Sequence, residues 1–131
     1  MLKLEIVTPE RRVLDTEVEA VTVPTASGEA GILTSHAPMV SELAPGVLTY
    51  TTRGTVDKLA IAGGFVEVSG NKVSVLTDVA ESASEIDIEA ARAERDAIER
   101  ELAAAGNNTV DENEPIRERL DLAKARMAVR S

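Results

Sequence analysis

The chain has 131 residues, no cysteine, a single histidine and a formal net charge of −9. That composition excludes a disulfide framework and thiolate chemistry, weighs against a histidine-based metal site, and argues against nucleic acid, whose phosphates need clustered Lys and Arg. Only Tyr50 and Phe65 are aromatic, so the core must be aliphatic, which suits a compact sandwich better than a deep ligand cavity.

Leu2–Val7 alternates apolar and polar residues, as a half-buried strand does. Residues 8–11 read as a turn. Val18–Val23 reads as the next strand, stopped by Pro24. Gly28-Glu-Ala-Gly31 suggests a tight turn into a short strand at Ile32-Leu33, followed by a loop over Ser35–Pro38 and a turn at Pro45-Gly46. Val47–Thr52 and Val56–Ile61 flank Arg53-Gly54-Thr55 and predict a hairpin. Gly63-Gly64, a bulge or a close backbone approach, precedes a strand at Phe65–Val68. Ser69-Gly70-Asn71 then turns into Val73–Leu76. Short strands with turns every 8–12 residues predict an antiparallel β-sandwich or flattened barrel.

The character changes near Ser84. Seven of the eight glycines and four of the five prolines precede it, whereas residues 85–131 hold ten alanines. The reading is therefore a β-sandwich over 1–84 and a helical hairpin over 85–131. Ser84 with Asp87 is expected to cap the first helix. Ile88, Ala91, Ile98, Leu102 and Ala105 form its apolar stripe, and Gly106-Asn107-Asn108 ends it. Asn113 is expected to cap the second helix, with Pro115 in its first turn. Ile116, Leu120, Ala123 and Met127 supply the facing stripe. At roughly 25 cal/mol per Å² an alanine-rich seam contributes little against ordering costs of about 1–2 kcal/mol per residue. The hairpin must borrow stability from the sandwich, a ligand or another protein, and such a segment can move.

No catalytic constellation is legible. His36 reads as a loop histidine without a nucleophile partner. Gly28–Gly31 lacks the Gly-Lys-Ser/Thr end of a phosphate loop. In the tail, Arg126 and Arg130 share a helix face. Arg92 has two readings: an ordinary ion pair with Glu89 or Asp96, or convergence with Arg126 and Arg130 on a phosphate-bearing ligand. The N-terminal residues lack a signal-peptide apolar run, and no stretch approaches about 18 consecutive apolar residues. The chain is expected in the cytosol or peripherally on a membrane complex, with no basic patch for anionic lipid.

Gly28-Glu-Ala-Gly-Ile-Leu-Thr-Ser-His36-Ala-Pro38 resembles the Gly-x-x-Gly-Ile-x-Pro-x-His-x-Pro loop of the epsilon subunit of bacterial F-type ATP synthases, with Thr34 where that family usually has proline. Pro45-Gly46-Val47, Ala62–Val68 and Val73–Asp78 follow at the family's spacing. The resemblance implies a ten-stranded antiparallel sandwich followed by a C-terminal antiparallel helical hairpin. It implies a non-catalytic rotor subunit that couples proton-driven rotation to ATP synthesis. The partners it implies are the gamma subunit and the c-subunit ring, and alpha/beta when the hairpin extends to restrain hydrolysis. The location it implies is the cytoplasmic face of the bacterial inner membrane. Glu29 and His36 match the family's interface loop. Some members bind ATP on the hairpin; the matching positions are Glu89, Arg92, Ala93, Arg126 and Arg130, with Glu89 in place of the family's Asp. No cofactor or metal is required on this reading. The alternatives are a stand-alone nucleotide sensor, a β-sandwich binding protein, or a free-standing β-sandwich enzyme or carboxylate-based metal protein.

Overall fold

The computed structural model describes residues 1–104 and 110–130, with backbone alone for 110–113. Ten strands form two five-stranded sheets. They are β1 (Leu2–Val7), β2 (Arg12–Val18), β3 (Ala20–Thr25), β4 (Gly28–Leu33), β5 (Met39–Glu42), β6 (Gly46–Thr52), β7 (Thr55–Ala62), β8 (Phe65–Ser69), β9 (Lys72–Leu76) and β10 (Val79–Ser82). One sheet runs β2-β1-β9-β8-β5 and the other β10-β7-β6-β3-β4. Every pairing is antiparallel except β1 with β9.

Alternation along the strands builds the core. Leu2, Leu4 and Ile6 of β1 and Val73 and Val75 of β9 are fully buried. They join one cluster with Val21 and Val23 of β3, Ile32, Leu48, and Leu59 and Ile61 of β7. Successive strand residues point to opposite faces, so these side chains fill the space between the sheets. β6 and β7 meet at Arg53-Gly54, both with positive φ (51° and 80°), the geometry of a two-residue type I′ hairpin.

Three features of the β-body depart from the expectations. Gly28–Gly31 is no turn: the chain reverses at Ala26-Ser27, and Gly28–Leu33 pairs along the whole of β3. Pro24 does not stop its strand either. β3 pairs with β6 only over Ala20–Thr22, so the missing proline N–H falls beyond that ladder. β2, β5 and β10 were hidden because their alternation is weak: β2 has one fully buried residue, Val18, which the sequence assigns to the following strand, β5 has no buried residue, and β10 has one, Ala80. Gly63-Gly64 does serve a close approach. Gly64 has φ 88°, and a Cβ there would overlap the Leu76 carbonyl.

Between strand and helix lies one 3-10 turn, Ala83–Glu85. Its carboxylate closes it: Glu85 accepts from the Ser82 N–H (3.1 Å) and the Ser82 hydroxyl (2.9 Å), and pairs with Arg11 at 2.6 Å. Ser84 is thus not the cap of the first helix, α1 (Ile88–Ala104). Asp87 is: its Oδ1 accepts from the N–H groups of Glu89 and Ala90, both at 3.1 Å. Ala105 and Gly106-Asn107-Asn108 lie outside the described residues. α2 runs Val110–Arg130, starting before Asn113, whose side chain is also outside them. Pro115 therefore sits inside the helix. Proline fits best in a first turn, yet its presence does not dictate where the helix begins; inside, it removes one ladder donor, at a cost of roughly 3 kcal/mol in an unsupported helix.

Candidate functional site

α2 has two jobs. One side packs on α1, where Ala91 and Ile98 are the buried residues. The other lies on the outer face of the second sheet, where Ala125 and Val129 cluster with Ala60 and Ile86, flanked by Val47, Ala83 and Leu122. Ala60 is the outward residue of β7, between the inward Leu59 and Ile61. It stands beside Glu81 of β10 and Val47 of β6. The Leu122–Ala125–Val129 stripe escaped the sequence reading, which found a single stripe on this helix. Two apolar stripes separated by charged residues blur into one weak periodicity.

Arg126 ties the three parts together. Its Nε donates to Glu81 Oε1 at 2.6 Å, and a terminal guanidinium nitrogen lies 3.5 Å from Glu94 Oε2 on α1. The side chain is only 23% exposed. The cleft beside it, about 210 Å³, is lined by Glu81, Glu85, Asp87 and Glu94 together with Arg126. Glu89 and Arg92 pair with each other at 2.9 Å in a solvent-facing position. Ala93 and Arg130 are exposed, and Arg130 makes no ion pair among the described residues. The structure thus gathers Glu81 and Glu94 around Arg126, two residues that no local pattern singles out. They come from a strand and a helix that only the fold brings side by side.

Glu29 lies exposed on β4, the edge strand of its sheet. His36 is half-buried in the loop after β4, with Nδ1 2.7 Å from the Ala37 carbonyl oxygen. Asn71 pins this loop: its Oδ1 accepts from the Ser35 N–H at 3.0 Å. Ser35 itself adopts φ 67°.

Among the described residues, no helix covers the outer face of the first sheet. Most of it is polar, with Glu5 near Arg12 and Lys72 at 3.5 and 3.9 Å. One end is apolar. Val7, Leu76 and Phe65 form a row across β1, β9 and β8, and Leu76 and Phe65 are 55% and 56% exposed. With Pro9 and Gly64 they line a shallow cleft of about 310 Å³. No cluster of three or more metal-ligating side chains occurs among the described residues, and none of their helices is long and apolar enough to cross a membrane.

A sandwich with an exposed apolar row and a helical hairpin laid on its other face defines a docking chain whose surface, rather than a catalytic cleft, carries its chemistry. Residues 1–83 match the family described as ATP synthase, Delta/Epsilon chain, beta-sandwich domain. The ATP synthase epsilon chain of Anaeromyxobacter sp. (strain Fw109-5) is 45% identical over 130 residues, covering 98% of this chain and 96% of that one. The epsilon chain of Desulfitobacterium hafniense (strain Y51) is 40% identical over 126 residues, 96% of this chain and 86% of its own length. A chain of the Euglena gracilis mitochondrial ATP synthase, solved with OSCP, F1 and c-ring, superposes with a TM-score of 0.78 at 28% identity, covering 97% of this chain and 79% of that chain. A chain of the Tetrahymena thermophila mitochondrial ATP synthase, from a structure of the central stalk and c-ring, shares the fold alone, with a TM-score of 0.64 at 16% identity over 99% of this chain and 96% of that chain. The chain belongs to the ATP synthase epsilon chain family, whose members are subunits of the synthase with no catalytic site of their own.

Proposed function

We propose that this chain is a central-stalk rotor subunit that couples proton-driven rotation to ATP synthesis, bound to the gamma subunit and the c-subunit ring. The observation that carries the proposal is the bare Val7–Leu76–Phe65 row. Apolar side chains standing in water on a rigid sheet are the chemistry of a protein contact. The loop with Glu29 and His36 supplies a second contact, toward the ring. The chain then sits peripherally, on the cytoplasmic face of the bacterial inner membrane. The test is Phe65→Glu. It is expected to weaken binding to a cognate gamma subunit by at least about tenfold, the scale of a lost interface anchor, while leaving the melting temperature of the isolated chain unchanged. Full-strength binding would sink the assignment of this face.

The hairpin is the regulatory part of the same proposal. Folded down as seen here, it is held by a small patch, and when extended it reaches alpha/beta and restrains hydrolysis. Deleting residues 85–131 is expected to leave assembly intact and raise the ATPase rate of the complex; an unchanged rate counts against a restraining tail. ATP enters as a regulatory ligand held by Glu89, Arg92, Ala93, Arg126 and Arg130. It has to displace Glu81 from Arg126 beside an acid-lined cleft, so binding is expected only at millimolar ATP. A calorimetric titration of the isolated chain that stays flat at millimolar ATP rejects the sensor.

A further inference from the structure

We propose that Arg126 is the latch of the hairpin and that Glu81 serves as its built-in anion, so that the folded-down state closes without any bound nucleotide. The proposal rests on the regulatory reading above, and its test is separable from it. Arg126–Glu81 is the one ion pair between α2 and the strands among the described residues. Glu94 brings α1 into the same contact, so a single guanidinium spans sandwich, first helix and second helix. Its position matters as much as its charge. The apolar contacts of α2 with the sandwich, Leu122, Ala125 and Val129, all lie in the helix's C-terminal half, with Arg126 among them. Under the N-terminal half opens a cleft of about 500 Å³ between Glu42, Pro45 and Gly63 on one side and Glu114, Glu118 and Asp121 on the other. Glu42 is the one carboxylate on the sandwich side, facing Glu114, Glu118 and Asp121 with Arg117 beside them, and no ion pair among the described residues bridges the gap. The hairpin is therefore fastened at one end and free at the other, and loosening the fastened end releases the whole.

The experiment is hydrogen exchange on the full-length isolated chain without nucleotide. Glu81→Gln removes the charge at constant shape on an outward sheet position, and is expected to speed exchange of α2 amides from Ile116 to Val129 about tenfold, the scale of a charge-assisted hydrogen bond. Strand amides are expected to keep their rates. Arg126→Ala, which also loses Glu94, is expected to speed it at least as much, Arg126→Lys to fall between parent and Arg126→Ala, and the double variant to be no worse than Arg126→Ala, because that change already removes the Glu81 contact. Unchanged α2 exchange in Glu81→Gln and Arg126→Ala overturns the latch, as does an additive double variant. Faster α2 exchange with unaltered hydrolysis in the complex upholds the latch and fails the regulatory reading instead.

Discussion

Ala125→Asp separates the hairpin from the sandwich at the cost of one side chain. Ala125 is 4% exposed and packs in the cluster with Ala60, Ile86 and Val129. The adjacent Arg126 is no partner for a carboxylate there, because neighbours one apart do not face each other on a helix. Leaving the charge buried costs several kcal/mol. Against that stands what docking can supply. Full burial of a Val or Leu is worth about 1.5–3 kcal/mol; α2 offers one such residue, Val129, a partly buried Leu122 and the alanine itself. Docking from these side chains is thus on the order of 3–5 kcal/mol before ordering costs. The two quantities are comparable, so α2 is expected to lift rather than bury the charge. Since about 1.4 kcal/mol is a factor of ten, hydrogen exchange of α2 amides should accelerate on the order of a hundredfold or more. Exchange in β1, β7 and β9 should be unaltered, because their inward side chains are untouched. If α2 keeps its protection, the patch is not what holds the helix. If the strands lose protection with it, sandwich and hairpin unfold as one unit and the picture of a conditional element is wrong.

Other outcomes follow from the same geometry. Gly64→Ala puts a side chain at φ 88° against the Leu76 carbonyl, so a loss of at least about 2 kcal/mol is expected in urea unfolding. A neutral result would mean the β8–β9 approach is softer than drawn. For Glu85, the bonds from Ser82, backbone first, and then Arg11 hold the carboxyl below the ordinary Glu value. A depressed folded pKa contributes stability that is present above the unfolded value and fades as pH falls through the folded one. Parent and Glu85→Gln should therefore differ in urea midpoint at neutral pH and converge in acid below the usual carboxylate range. A gap that widens on acidification refutes the assignment.

How much was legible beforehand varies with how locally each feature is coded. Leu2–Val7, the Arg53-Gly54 hairpin and the Ser69-Gly70-Asn71 turn were readable because alternation and turn residues act over a few positions. Gly28–Gly31 misled because glycines mark turns far more often than edge strands; only pairing with β3 drew them straight. Pro24 misled because the rule against proline in a strand depends on whether a neighbour needs that N–H, which is a fact about β6. Phe65 and Leu76 sit in the sequence as ordinary strand residues. Their exposure follows from which face of the first sheet lacks a covering layer.

By itself, the sequence determined a β-body followed by an alanine-rich helical tail, the absence of thiol chemistry, and a resemblance strong enough to name a family. Those are matters of composition, period and short motifs. Only the tertiary structure decided that the tail lies on the second sheet, that Arg126 meets Glu81 forty-five positions away, and that the opposite face stays bare. Contacts between residues far apart in the chain depend on how the sheets pack and which surface each leaves open, and no local pattern encodes that.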